Sequence, residues 1–346
     1  MTLDDTARGS WQPIGSDDEL DSLARPGTAP RPSLRERRAR DAAARAAARA
    51  ERPAKAPKPK KQLAPRDGRW WAGAMVLSVS MLLLAFIAHV MLFSAFQHHR
   101  AQTIAYDELR TTLANAETPV GQLDVDEEMV VPGTPVALIQ APTIGLSEVI
   151  VEGTSAEVLR DGAGHRRDTV MPGQSGTSVL IGRQATYGGP FAQINRLSLG
   201  DEIQITTGQG TSTFRVFGIR RAGDPLPEPV SPGAGRLQLQ TADGPALFPT
   251  GVLYVDAELV SEVQPTPSRV LGYPALPVAE RAMGEDGGHW FIAFFIAIFF
   301  LAACAAMLWL WRSWGRWHAW LVGLPVLVWL GVATADAAMN ALPNVL

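Results

Sequence analysis

Three long hydrophobic runs interrupt an otherwise mixed chain. Residues 72–96, 290–311 and 317–335 contain no formally charged side chain. As helices with ~1.5 Å rise per residue they reach roughly 37, 33 and 28 Å, and the hydrocarbon core of a bilayer is about 30 Å thick. We therefore predict three membrane-spanning helices, over residues 69–96, 289–311 and 317–336. Pro325 makes the third the weakest candidate, although neighbouring helices can satisfy the carbonyl that a proline leaves free.

Between the first and second runs the hydrophobic pattern changes to short alternating segments. Gly, Pro and Asp residues separate seven such segments: VALIQAP, EVIVEG, SVLIG, EIQITT, STFRVFGI, RLQLQT and VLYVDAELV. Many short β-rich runs with regular turn residues are typical of a closed barrel or a sandwich. We predict a mostly β fold, in which a closed β-barrel over residues 132–263 is carried on the three transmembrane α-helices.

The segments that flank these elements have compositions of their own. Residues 1–68 are basic and poor in aromatic side chains, so we predict a disordered cytoplasmic tail. Within it, residues 34–52 favour a helix, which either docks its arginines on anionic lipids or remains a solvated basic segment. Residues 97–131 are predicted to form a juxtamembrane helix and an acidic linker, and residues 264–288 a weakly structured tether.

Charge is distributed unevenly along the chain. Residues 31–69 hold 14 Lys and Arg against 4 Asp and Glu, whereas residues 97–288 hold 13 Arg against 23 Asp and Glu. The positive-inside rule then predicts a multi-pass protein of the cell membrane, with its N-terminus in the cytoplasm and the β domain outside. Binding to nucleic acid is not predicted, because neither a folded module nor interleaved aromatic residues accompany the basic segment.

No cofactor and no metal site is predicted. A calcium site in the acidic linker is disfavoured against a solvated spacer, because no loop of EF-hand type frames its carboxylates: Asp124, Asp126, Glu127 and Glu128. The single cysteine, Cys304, lies in the middle of the second hydrophobic run. An intrachain disulfide is therefore impossible, and we expect this thiol to face lipid or another helix.

Several passages of the β region, in this order and at this spacing, resemble the sortase family of high-GC Gram-positive bacteria. They are IGLSEVIVEGT (residues 144–154), LRDGAGH (159–165), MPGQSG (171–176), VLIGRQATYGGPF (179–191), LGDEI (199–203), LQLQTA (237–242) and VLYVDAEL (252–259). The resemblance implies a sortase-like closed barrel. It also implies an extracytoplasmic cysteine transpeptidase that joins proteins carrying a sorting signal to the cell wall or pilus.

The residues that the family uses for catalysis are missing from this sequence. Such chemistry needs a thiolate nucleophile, a histidine acid and an arginine that holds the oxyanion. Carried over residue by residue, the histidine, cysteine and arginine positions hold Arg183, Ala242 and Val252. The resemblance therefore implies a catalytically degenerate member whose three equivalent positions are inactive.

Side-chain alternation in the strand before Ala242 places a groove on one face. Leu237 and Leu239 are predicted to face the core, so Gln238, Gln240 and Ala242 share the opposite, more accessible face. The predicted groove residues are Arg183, Tyr187, Gln240 and Asp243.

Three other interpretations concern individual side chains in the β domain. Arg183 either recognises a carboxylate or phosphate, or folds over the barrel surface and stacks on Tyr187. His165 resembles a loop histidine that many relatives carry in addition to the catalytic one, and a structural or incidental role is favoured over a catalytic one. Thr241 and Asp243 are poor nucleophiles without an adjacent base.

Three functions are compatible with these observations. The favoured one is a non-catalytic binding or assembly module of the cell envelope, whose partner is an envelope or surface protein or a peptide resembling a sorting signal. The alternatives are an active transpeptidase or hydrolase that uses other residues, and an accessory subunit of a membrane complex. In the last case Asp336 and the tryptophans of residues 309–320 would matter, although the tryptophans alone are typical of an interfacial belt.

The charge asymmetry generates a topology prediction. Reporter fusions at residues 60 and 314 should be active in the cytoplasm, and a fusion at residue 200 should be active outside, because Lys and Arg are retained on the inner side. Activity of the residue 200 fusion in the cytoplasm would contradict this orientation and every envelope function built on it.

Overall fold

The computed structural model describes residues 33–50, 68–246, 248–313 and 316–346 in two units, Met1–Asp67 and Gly68–Leu346. In the first unit, helix α1 occupies Leu34–Ala50, close to the predicted helical segment. The remainder of the predicted disordered tail lies outside the described residues. All other elements belong to the second unit.

One long helical stretch precedes the barrel. It consists of α2 (Gly68–Ala88), a π-helical turn (His89–Phe93) and α3 (Ser94–Asn115). The helix ends at Ala116, which adopts the left-handed conformation at φ 58° and donates its N–H to the carbonyls of the last turn. The predicted juxtamembrane helix is therefore a direct continuation of the first hydrophobic run.

Two further helices follow the barrel, α4 (Gly288–Ser313) and α5 (Arg316–Asn340), and they pack against each other. Within the part of the chain that the structure describes, two segments are long and apolar enough to cross a bilayer, Gly288–Leu310 and Trp320–Asn340. Helix α2 is not one of the two, so the arrangement with three spans stays a prediction. Helix α5 extends four residues beyond the predicted end at residue 336.

Eight strands close into a barrel in the order β1-β2-β3-β4-β7-β8-β6-β5, which confirms the predicted closed β-barrel. Strands β2 and β3 and strands β4 and β7 pair in parallel, and the other neighbours are antiparallel. The strands are β1 (Pro135–Ala141), β2 (Leu146–Glu152), β3 (Ala163–His165), β4 (Gly176–Ile181), β5 (Glu202–Thr207), β6 (Gly210–Arg221), β7 (Gly235–Asp243) and β8 (Gly251–Leu259). Only β3 was not among the predicted strands, because three residues carry no readable alternation.

Alternating side chains of the strands fill the barrel interior. In β7, Leu237 and Leu239 are completely buried, as the alternation predicts, and Phe214 of β6 lies in the same cluster. Burying a side chain of this size stabilises a fold by about 1.5–3 kcal/mol relative to leaving it exposed. The interior is therefore a packed apolar core.

The connection from β8 to α4 differs from the predicted weakly structured tether, because it packs along the barrel. Glu280 is buried and forms a bidentate ion pair with Arg167, with Nε to Oε2 at 2.9 Å and Nη2 to Oε1 at 2.5 Å. Hydrogen bonding to Glu280 raises the pKa of Arg167. The Thr154 hydroxyl donates to the Glu280 carbonyl at 2.5 Å. These specific polar contacts hold in place a Pro-containing segment for which a weakly structured tether was predicted.

Helices and barrel meet around the carboxylate of Asp336 in α5. The Tyr187 hydroxyl donates to Asp336 Oδ1 at 2.9 Å, and His89 Nε2 lies 2.9 Å from the same oxygen. Gln97 donates to Oδ2 at 3.3 Å. Further along α3, the Gln102 side chain accepts a hydrogen bond from the Val149 N–H in β2 and donates one to the Val149 carbonyl. These contacts hold α3 and α5 against the barrel.

Candidate functional site

Three strand ends meet at one end of the barrel. Ala242 near the end of β7 pairs with Val252 at the start of β8, and Gln240 pairs with Ile181 at the end of β4. The Gly182 N–H donates to the Gln240 carbonyl at 3.0 Å. The structure therefore brings together the chain positions of Arg183, Ala242 and Val252.

Gly182 leads the chain out of β4. A β-carbon at Gly182 would lie 2.6 Å from the Phe191 ring, so only glycine fits this position without displacing the ring. The Thr241 hydroxyl donates to the Gly182 carbonyl at 2.8 Å. Both contacts fix the direction in which the following residue, Arg183, leaves the strand.

Arg183 is completely buried and points into the protein, not over the barrel surface. Its guanidinium lies 4.9 Å from the centre of the Tyr187 ring, so the predicted stacking is present. Each of its three nitrogens donates to a protein oxygen: Nε to Leu159 O at 3.2 Å, Nη1 to Thr186 Oγ1 at 3.1 Å and Nη2 to Ala156 O at 2.6 Å. Burial lowers the pKa of Arg183 to about 10, which still leaves it charged at neutral pH.

Tyr187 is buried and adopts a left-handed backbone at φ 49°, which is unusual for a bulky residue. Its N–H donates to the Ser94 hydroxyl at 3.1 Å and its own hydroxyl to Asp336. Burial first, and then the Asp336 charge, raise the pKa of Tyr187, so the phenol stays a neutral donor. These contacts compensate the backbone strain, and Tyr187 joins barrel and helices instead of lining an open groove.

The face of β7 that was predicted to be accessible is covered at Gln240 and Ala242. The exposed fractions of Gln240 and Ala242 are only 3% and 1%. The Gln240 amide donates to Gln238 Oε1 at 2.6 Å, and Asp243 accepts from Arg221 Nε at 3.0 Å. The expectation of accessible side chains was wrong for Gln240 and Ala242, whereas Gln238 stays half-buried. Alternation decides which face a side chain occupies, but not what packs on that face.

Two segments from beyond the barrel cover Ala242. Val345, which follows α5, lies in one apolar cluster with Ala242, and Ala282 and Met283 of the β8–α4 connection pack against this cluster. A cavity of about 180 Å³ remains beside Ala242. Its lining residues are Gln184, Phe191, Ala192, Asn195, Thr241, Ala242, Asp243, Gly244 and Leu253. The sequence contains one signal for this cover, since Leu342, Val345 and Leu346 stay apolar after the last helix.

His165, expected in a loop, belongs to β3 and is buried. Its Nδ1 lies 2.8 Å from Glu152 Oε2, and its Nε2 lies 3.0 Å from the Val170 carbonyl and 3.1 Å from Thr169 Oγ1. Burial by itself lowers the pKa of His165, but the charge and hydrogen bond of Glu152 outweigh this effect and raise it above 6.5. Both ring nitrogens are engaged within the fold, which is the geometry of a structural residue.

The acidic linker has a local structural role. Asp124 Oδ1 accepts from the N–H groups of Asp126 at 2.9 Å and Glu128 at 3.0 Å, which closes a tight turn. Among the described residues, no group of three or more His, Cys, Asp or Glu side chains is arranged to hold a metal ion.

The barrel is similar to several known proteins. A family model described as the sortase domain matches residues 139–245. Sortase SrtE1 of Streptomyces coelicolor is 26% identical over 154 residues, covering 42% of each chain. Sortase D of Bacillus subtilis is 32% identical over 79 residues, which are 23% of this chain and 38% of that protein. The chain thus spans about two fifths of these curated relatives.

A solved structure of sortase E from Streptomyces avermitilis is 29% identical to this chain. The match covers 38% of this chain and 91% of that one, with a TM-score of 0.33.

The buried pair of His165 and Glu152 makes stability depend on pH. Because the folded pKa of His165 lies above the unfolded value of about 6.5, its stabilisation is complete below that pH and is lost as pH rises through the folded pKa. The thermal midpoint of the full chain in detergent should fall between pH 6 and pH 9 by more in the wild type than in His165→Gln. Glu152→Gln should destabilise by about 3–5 kcal/mol.

His99→Gln is the matched control, because His99 is an exposed histidine of α3. This variant should keep the pH dependence of the wild type. An identical pH dependence in His165→Gln and the wild type would contradict the role assigned to the pair.

Proposed function

The barrel of this chain belongs to the sortase family, and from that premise we propose that the protein is a non-catalytic binding or assembly module of the cell envelope. The observation that carries the proposal is the alanine at position 242. It stands where the family resemblance requires a thiol, and its methyl group is covered by other parts of the chain. The sequence has one cysteine, Cys304, and it lies within the candidate span of α4.

The other two positions support the same conclusion. An isopropyl group at Val252 has no donor for an oxyanion. Arg183 carries a lasting positive charge and directs its nitrogens at internal oxygens, so it cannot alternate between acid and base. Each chemical role of a sortase site therefore lacks a residue of the right type.

Anchoring in the membrane with the barrel outside completes the proposal. The candidate spans of α4 and α5 and the basic segment before α2 support it, and α2 would provide the third span. The partner we propose is an envelope or surface protein that presents a peptide to the covered end of the barrel. A hydrolase built on other residues has less support, since His165 is buried with both ring nitrogens bonded.

The proposal predicts an absence of acyl transfer. Incubated with sorting-signal peptides, the full chain should form no thioester and turn over no peptide, and thiol reagents should not change this result, because the single thiol, Cys304, lies in the candidate span of α4 and not in the barrel. Ala242→Cys alone should remain inactive, since the Arg183 and Val252 positions still lack acid and oxyanion donor. Mass spectrometry of the protein after incubation measures the adduct. Turnover above a heat-denatured control would show that the chemistry resides in other residues.

The proposal also predicts a partner at the covered end of the barrel. Because Gln240 is buried, a photo-crosslinker belongs at Asn195, an exposed residue that lines the cavity beside Ala242. Irradiated cells should yield a discrete adduct with an envelope protein. The same crosslinker at Leu199, which is exposed but outside the cavity lining, should not yield it. The same adduct from both positions, or none from Asn195, would contradict binding at this end.

A further inference from the structure

Residues 341–346 follow α5 and fold into the end of the barrel that contains Ala242. We call these six residues the cleft segment. Asn344 and Val345 are completely buried, and Ala341 and Leu346 nearly so. The segment therefore occupies a recess between the barrel and the β8–α4 connection.

The recess recognises the side chain of Asn344. Its Nδ2 donates to the carbonyls of Thr154 at 2.8 Å and Arg281 at 2.9 Å, with that of Ala279 at 3.2 Å. The Asn344 N–H donates to the Gly284 carbonyl at 3.0 Å. Converging carbonyls select a side chain that donates hydrogen bonds, because a purely apolar side chain would leave them unpaired.

The next two residues are held through their backbone and by an apolar pocket. The Gln184 N–H donates to the Val345 carbonyl at 3.0 Å, and the Thr186 hydroxyl donates to the Leu346 main-chain oxygen at 2.6 Å. The Val345 side chain packs in the cluster that contains Ala242 and Ile181. Backbone hydrogen bonds combined with a pocket for single side chains are the means by which proteins bind peptides.

The recess continues beyond the cleft segment. The cavity of about 180 Å³ is lined by Gln184 and Ala242, the same residues that bond and pack against Val345. The segment therefore fills one part of a longer groove, and the remaining part is available to a longer peptide.

We propose that the cleft segment is a peptide ligand bound in cis, and that it closes the groove until a partner peptide of similar chemistry displaces it. This inference rests on the proposed function in one respect, since it takes the groove to be a binding site. The partner peptide presents a side-chain donor followed by a branched aliphatic residue. Because the cis ligand competes with it, the apparent affinity for a partner is reduced by the fraction of molecules in which the groove is open.

The test uses the full chain in nanodiscs and a fluorescent peptide of the sequence MNALPNVL, which reproduces residues 339–346. Val345→Asp places a charge in the apolar cluster and should expel the segment. Fluorescence anisotropy should then show binding at least tenfold tighter than to the wild type. Val131→Asp, an exposed valine outside the recess, is the matched control and should bind as the wild type does.

A measurement on the unaltered protein keeps the inference testable if Val345→Asp misfolds. The Gln184 N–H is protected by Val345, so release of the segment exposes it without unfolding of the barrel. Hydrogen exchange at Gln184 should be at least 100-fold faster than at Val255 in the barrel core, and excess MNALPNVL peptide should alter it. Exchange of both amides at one global rate would identify a permanent structural plug and overturn the inference.

The outcomes separate the two proposals. Equal peptide affinity of Val345→Asp and the wild type, with the Asn195 crosslink retained, overturns the cis ligand and leaves the proposed function standing. Equal peptide affinity of the two proteins, together with loss of the Asn195 crosslink, overturns both the cis ligand and the proposed function. Tighter binding by Val345→Asp together with a stronger Asn195 crosslink in the same variant supports both.

Discussion

The carboxylate of Asp336 is the constraint on which the arrangement of barrel and helices depends. It is shared by the Tyr187 hydroxyl, His89 and Gln97, which belong to the loop after β4 and to the helical stretch before the barrel. A largely buried carboxylate is stable only while such donors surround it. Helix α5 therefore cannot move independently of the barrel, and the residues that follow α5 start at a fixed position.

The same constraint reaches the end of the barrel that contains Ala242 through Tyr187 and Arg183. Tyr187 holds a strained backbone because its hydroxyl and N–H are both bonded, and the Arg183 guanidinium stacks on its ring. Arg183 in turn links the carbonyls of Ala156 and Leu159 to Thr186. Arg183 therefore ties three parts of the fold together through hydrogen bonds that lie inside the protein. Removing it would leave buried oxygens unpaired, which costs about 1–3 kcal/mol for each group.

The covered groove is a consequence of two features, the Asp336 carboxylate that fixes α5 and the inward orientation of Arg183. Thr186 accepts from Arg183 and donates to the main chain of Leu346, so the arginine and the cleft segment stabilise each other through one hydroxyl. Ala242 is compatible with this packing because a methyl group fits beside Val345 in the apolar cluster.

The sequence by itself determined the closed barrel, most of its strands, the hydrophobic helices and the residue types at positions 183, 242 and 252. These features depend on local alternation, on run length and on residue identity, all of which can be read without knowing distant neighbours. The tertiary structure alone decided that Ala242 is buried, that Arg183 points inward, that the β8–α4 connection packs on the barrel and that Val345 fills the groove. Each of these depends on contacts between residues up to about 190 positions apart, such as Asn344 with Thr154. No periodic pattern along the chain encodes such pairings, because they arise only when separate elements are brought together in space.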